Sequence, residues 1–334
     1  MFLCRVAKAM LSQHKFDVAS VRALFEDALS QCGLHLVEGD SLWDNCLDFE
    51  LSLDGNDRDD ERIKEIFSRF LQTPFPPDVV ERTKAKFKEW LKDEEISQSL
   101  MRGIERAQRA YGLRQDYEAA LVSARIVDPH GLPLLSIYYS YINLEISGGI
   151  HARVRMVFER AFVYFPTSEF LWKNVLAYEE SVGRHDQLPG LQLRAIRYCR
   201  WSGDIWSMYL HQKSREIRNS HGNENILDSI LESAYANLCR DPLEYQKVLL
   251  ARAFSLKHAT SGSMTKYHDL LRDGILLLKE MNIVDPDHYC ATLLSHSLAI
   301  EGDVRSGKAV WENLLSDTCL DSQYTGTWLP YYTF

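Results

Sequence analysis

Residues 152–180 read ARVRMVFERAFVYFPTSEFLWKNVLAYEE. Val154, Val157, Phe158, Ala161 and Phe162 recur at the three-and-four spacing of one helix face. Pro166 cannot continue that helix, and Thr167 or Ser168 can cap a second one. In the second helix Trp172, Val175 and Tyr178 lie three apart, and Glu179 follows. The stretch therefore predicts two helices joined by a proline turn: a Phe-Glu-Arg-Ala helix, B, and a Trp helix, A.

Both halves return along the chain. Helix A recurs as Trp43-x-x-Cys46-x-x-Phe49-Glu50 and as Tyr138-x-x-Tyr141-x-x-Leu144-Glu145. It recurs again from Trp206 and Tyr209, with Lys213 where Glu is expected, and from Tyr245, with Arg252 there. A last copy is expected at Trp328, Tyr331 and Phe334. Helix B recurs around Phe25, Phe67, Arg194, Leu231, Leu271 and Trp311. Trp172 to Trp206 spans 34 residues; Leu231 to Leu271, and Leu271 to Trp311, span 40 each. A two-helix unit at that period predicts an all-α, α-α superhelix of the tetratricopeptide-like kind. Pro129, Pro133, Pro166, Pro242 and Pro286 are expected at its turns.

The repeat blurs between 77 and 127, where Phe87-x-x-Trp90 predicts an A helix and a long polar helix follows. We therefore expect N-terminal repeats over 1–127, irregular near 77–127, and C-terminal repeats over 128–334, the array being cut short at its C-terminus. A carboxylate seven residues after the Trp sits beside a packed seam, which is costly unless it is paired. Hairpin geometry brings Arg153 toward Glu145 and Arg62 toward Glu50, so these are expected to be structural ion pairs.

The chain has 38 basic and 47 acidic residues, a formal charge of −9, which disfavours a surface built mainly to bind nucleic acid. The seven cysteines include no C-x-x-C pair and read as buried thiols in a reducing compartment. No cofactor, metal ion or membrane span is expected. GDVRSGKA at 302–309 approaches a phosphate loop, but Ala309 replaces the hydroxyl that would hold magnesium and the preceding residues have a helical period. The run Arg82, Lys84, Lys86, Lys88 reads as a solvated face, with an acidic-partner or RNA patch as the alternative. Nothing in the spacing of His, Cys, Ser or the acids points to an enzyme. Leu276, Leu293 and Leu314 are candidates for a dimer face.

The A pattern and the B pattern A-R-x-x-x-V-F-E-R-A, closed by proline, resemble the half-a-tetratricopeptide (HAT) repeat of RNA-processing proteins. Ala152, Arg153, Val157, Phe158, Glu159, Arg160, Ala161, Pro166 and Trp172 carry nearly the whole pattern. The stretches at 21–50, 117–124, 194–210 and 328–332 are similar to the splicing branch of that family, the factors that recycle the U4/U6 small nuclear ribonucleoprotein. The resemblance implies a non-enzymatic docking and dimerisation array in the nucleus, in the nucleoplasm and Cajal bodies. It implies splicing-factor and snRNP proteins and ubiquitin-specific proteases as partners. It also implies a homodimer through the C-terminal repeats, and RNA-recognition motifs outside this chain that do most of the RNA binding. The rival within the family is a subunit of the pre-mRNA 3′-end cleavage and polyadenylation machinery.

Overall fold

The computed structural model describes residues 17–92, 95–183, 187–220, 222–223, 225–238, 241–257, 264–280 and 288–316. Cys4, Cys239, Cys319, Pro286, Trp328, Tyr331 and Phe334 lie outside them. Fifteen α-helices and one short 3-10 turn account for the regular structure among the described residues, with no strand. The chain is an all-α array of helical hairpins. It divides into two compact units, 1–166 and 167–334.

In the first unit, α1 (Val18–Cys32) precedes the hairpin of α2 (Gly39–Leu51) and α3 (Asp60–Leu71). Next come α4 (Pro77–Leu91), α5 (Gln98–Val127), α6 (Leu132–Gly148) and α7 (His151–Tyr164). The blurred stretch resolves into α4, opened by Pro76 and Pro77, and the 30-residue α5, whose first turn is capped by the Ser97 hydroxyl. At 1.5 Å per residue α5 runs for about 45 Å. It crosses most of the irregular region without a break and lies wholly inside the first unit, as do α6 and α7.

The second unit holds α8 (Glu169–Val182), α9 (Leu188–Tyr198), α10 (Gly203–Ser220), α11 (Asn225–Asn237) and α12 (Pro242–Lys257). It continues with α13 (Met264–Glu280), α14 (Tyr289–Ile300) and α15 (Val304–Ser316). Within each unit helices pack on their chain neighbours. Pro133 and Pro242 fall inside the first turns of α6 and α12, where the missing N–H has no helical acceptor to lose. Gly149 and Gly183 end α6 and α8 in the left-handed conformation, each four residues after the buried Glu of its helix.

The aromatic slots fill the seams. Trp172 is fully buried, with Leu171, Val175 and Leu176 beside it, while Tyr138 and Tyr141 do the same in α6. In α2, Cys46 takes the middle slot, and burial pushes its thiol up to about 12. The hairpin of α14 and α15 moves its large ring to the B side. Ala291 occupies the Trp position of α14, and the fully buried Trp311 of α15 donates its Nε1–H to Ser295 Oγ at 2.9 Å. A Trp→Ala change in such a seam costs about 3–5 kcal/mol. Trp172→Ala is accordingly expected to lower the urea midpoint of the 334-residue chain by that equivalent; a loss below about 1 kcal/mol would show the seam collapsing around the gap.

Candidate functional site

The most heavily built feature is a set of buried charges that repeats from hairpin to hairpin. Glu50, seven residues after Trp43, is 1% exposed. Arg22 Nη2 of α1 reaches its Oε2 at 2.7 Å, and Arg62 Nε of α3 its Oε1 at 2.8 Å. The carboxylate is thus held by the B helix before it and the B helix after it. Arg62 joins it as the spacing predicts, while Arg22, three residues before Phe25, is an additional partner.

Glu145 is fully buried and differs from expectation. Its hydrogen bonds come from Arg114 of α5, Nε to Oε1 at 2.6 Å and Nη2 to Oε2 at 2.8 Å. Arg114 stands three residues before Tyr117, as Arg22 stands before Phe25. Arg153 lies near enough to sense the charge of Glu145, but its buried Nε has no hydrogen-bond partner among the described residues. Burial first, and the neighbouring Arg114 charge second, lower its basicity. The long helix α5 delivers the stronger fork, so the hairpin's own arginine is the second cation.

A parallel ladder joins successive B helices. The residue after the B aromatic is a Glu, and the Arg two after the next B aromatic meets it. Arg69 Nη1 reaches Glu26 at 3.0 Å, and Arg160 reaches Glu118 with both terminal nitrogens, at 2.6 and 2.7 Å. Burial pushes the Glu118 carboxyl up, but the bonds and charge of Arg160, with a hydrogen bond from Tyr141, hold it below the ordinary range. Near this pair, burial and then the Arg160 charge lower the pKa of His35. His35 Nδ1 accepts the backbone N–H groups of Val37 and Glu38, which requires the unprotonated nitrogen. The same class of Arg also lies over the Trp of its own hairpin: Arg69 over Trp43 at 5.3 Å and Arg194 over Trp172 at 5.5 Å.

The two odd residues in the Glu position now have a physical account. Arg252 of α12 is 2% exposed, and its Nη2 meets Asp228 Oδ1 of α11 at 2.7 Å. Asp228 stands three residues before Leu231, the position that Arg22 and Arg114 hold in their helices. The pair is the Arg114–Glu145 pair with its charges exchanged. Lys213, by contrast, follows a B helix with Pro189 in that position, and it pairs along its own helix with Glu216 at 2.7 Å.

Glu179, Phe158, Ala161 and Phe49 are buried, Tyr209 and Pro166 are half-buried, and Glu159 is exposed. Arg82 and Lys86 tie α4 to Asp44 of α2 at 2.6 and 3.0 Å, and Lys84 pairs with Glu81. Gly302 lies in the turn between two helices, and Lys308 faces Glu312 on α15 at 3.6 Å. Among the described residues no group of three or more His, Cys, Asp and Glu is placed to hold a metal ion, and no helix is long and apolar enough to cross a membrane. Leu276 is 56% exposed, whereas Leu293 is packed against the cluster around Leu294.

No family model matches the sequence. Over 340 residues the chain is 26% identical to a human protein, "Spliceosome associated factor 3, U4/U6 recycling protein"; the match covers 95% of this chain and 33% of that one. The chain resembles a splicing recycling factor. The mouse counterpart is 26% identical over 335 residues, and the zebrafish (Danio rerio) one 24% over 340, covering 91% of this chain and 34% of that one. The chain spans about a third of the length of these relatives. Among solved structures, that of CstF-77 aligns with 99% of this chain and 78% of its own, at 13% identity and a TM-score of 0.41, a likeness too slight to carry an argument.

Arg22, Arg114 and Asp228 were out of reach of counting within one hairpin, because each serves the next one. The signal was present as Arg22-x-x-Phe25-Glu26 and Arg114-x-x-Tyr117-Glu118. Removing one member of a fully buried pair costs about 3–5 kcal/mol, and the cost is smaller for Arg252 and Asp228 because the Asp228 side chain is 51% exposed. Arg252→Glu should therefore unfold at distinctly lower denaturant, and adding Asp228→Arg should recover most of the loss by restoring the Glu145–Arg114 polarity. A double-mutant cycle with no coupling between the two changes would refute the exchanged-pair reading.

Proposed function

We propose that this chain is a non-enzymatic docking array of a factor that recycles the U4/U6 snRNP in the nucleus, binding splicing-factor and snRNP proteins. The observation that carries the reading is a likeness to such recycling proteins that runs through 95% of the chain rather than through one motif. The geometry supports it. The most deeply buried charges, at Glu50, Glu145 and Arg252, are engaged in fixing hairpins to one another, which is how a rigid display surface is made. A pull-down from nuclear extract, with the chain as bait, is expected to recover U4/U6 particle proteins in preference to cleavage–polyadenylation subunits. Recovery of the second set alone would move the chain to the other branch of the repeat family. Ubiquitin-specific proteases belong to the same expected partner set, and their presence in the eluate is read in the same experiment.

The array also dimerises in this reading, through residues after 240. Leu276, Phe254 and Ile300 are exposed apolar side chains there, at 56%, 42% and 84%. Light scattering is expected to give a mass near twice 38.6 kDa, and a chain ending at 240 should give a monomer. A full-length chain that stays monomeric in the tens of micromolar, roughly a −6 kcal/mol ceiling on association, would remove dimerisation from the proposal.

A further inference from the structure

The C-terminal end of α9 and the turn after it carry four exposed side chains, Arg197, Tyr198, Arg200 and Trp201, on either side of the buried Cys199. Tyr198 is 49% exposed and Trp201 41%, and Arg197 and Arg200 beside them are exposed too. Neither arginine joins an ion pair among the described residues. The neighbouring carboxylates are already engaged: Lys173 holds Asp204 at 2.5 Å and lies 3.9 Å from Glu169, and Lys247 reaches Asp204 at 3.3 Å. Two guanidinium charges are therefore left over on the surface of an otherwise acidic chain.

The rings are also pre-arranged. The buried Trp172 has Arg194 over its ring at 5.5 Å and stacks with Tyr198 at 5.8 Å, with the two ring planes 15° apart. Tyr198 thus rests on the buried Trp172, which also has Arg194 over its ring, and keeps about half of its own surface exposed. The turn after it is fixed, since Trp206 Nε1 donates to the Arg200 carbonyl at 2.9 Å and the Ser202 N–H to the Cys199 carbonyl at 3.0 Å. A ring that ends a stack accepts another flat group, and planar arginine forks favour phosphate oxygens.

We propose that Arg197, Tyr198, Arg200 and Trp201 form a contact site for single-stranded RNA, with one base stacked on Tyr198 and two phosphates met by the arginines. Stacking on an aromatic ring beside unpaired guanidiniums is the chemistry of sequence-tolerant single-strand binding. Trp201, three residues on, offers a second ring. An acidic peptide could use the arginines, but it gains nothing specific from an open stacked ring, so RNA is the occupant that uses all four groups. The proposal does not rest on the protein-docking role, and either can fail alone.

The test is fluorescence anisotropy with the 334-residue chain and a short labelled oligouridine, with an acidic, phenylalanine-containing peptide run alongside. Saturable RNA binding is expected, falling by about 1.4 log units per tenfold rise in salt, the slope for two single-strand phosphates. Arg197→Gln with Arg200→Gln, both on the surface, should remove most of that slope. Tyr198→Leu should weaken binding roughly five- to 150-fold, the range of one base stack, while Tyr198→Phe should retain it. Absence of RNA binding at about 50 mM salt, binding indifferent to the arginine pair, or saturable binding of the peptide alone would each overturn the proposal.

Discussion

The array depends on one constraint: a carboxylate placed in the seam of helix A must not be left unpaired. A charge at 0–1% exposure, as at Glu145 and Glu50, carries a desolvation cost of several kcal/mol unless cations meet it with good geometry. Both residues meet that demand with an arginine from the B helix before them, and Glu50 adds one from the B helix after it. The ion pair therefore does what apolar packing does poorly, since an apolar seam tolerates sliding and a bidentate fork does not. It sets the register of three successive helices at once. The ladder from Glu26 to Arg69, and from Glu118 to Arg160, repeats the same logic along the B helices.

The departures obey the constraint rather than escape it. Where the carboxylate is absent, the arginine that would serve it from the preceding B helix is absent too: Lys213 follows Pro189, and Leu298 of α14 follows a B helix with His268 three residues before Leu271. In α4 the buried Phe87 is tilted on Phe67 at 4.7 Å, so an aromatic contact joins this helix to α3. Between α11 and α12 both charges reverse together. Each variant leaves no lone buried charge, which is the outcome the energetics require and which no rule about residue identity would state.

The hairpins were legible because their signals are local. A Trp or Tyr and a Glu seven residues apart, then a glycine or proline, lie within one helix and its turn, and the spacing names them without knowledge of the rest. The B helix at 304–316 was legible from Trp311 for the same reason. Its partner α14 was not, because Ala291 holds the Trp position and the large ring has moved across the seam. The full length of α5 was equally hidden, since a 30-residue helix with exposed apolar residues such as Leu113 and Ile126 shows no clean two-faced pattern. The polar partners were hidden for a different reason. Arg22, Arg114 and Asp228 act between hairpins, and their pairing follows from the stacking of units rather than from the period within one.

The same reasoning separates what holds the array together from what it offers to others. Most of the arginines and lysines that spacing brings into view are consumed internally: Arg82 and Lys86 by Asp44, Arg160 by Glu118, Lys173 by Asp204. A basic run in the sequence is therefore a poor guide to a binding surface in this fold, and the run at 82–88 shows why, since it fastens α4 to α2. A better guide is a cation that stays unpaired while acids nearby are satisfied, beside a ring whose other face is already supported. At α9 the buried half of the stack, Arg194 and Trp172, belongs to the fold. The guanidiniums of Arg197 and Arg200 enter no ion pair among the described residues, and Tyr198 and Trp201 keep 49% and 41% of their surface exposed; that surplus is the physical ground for assigning these side chains to a partner.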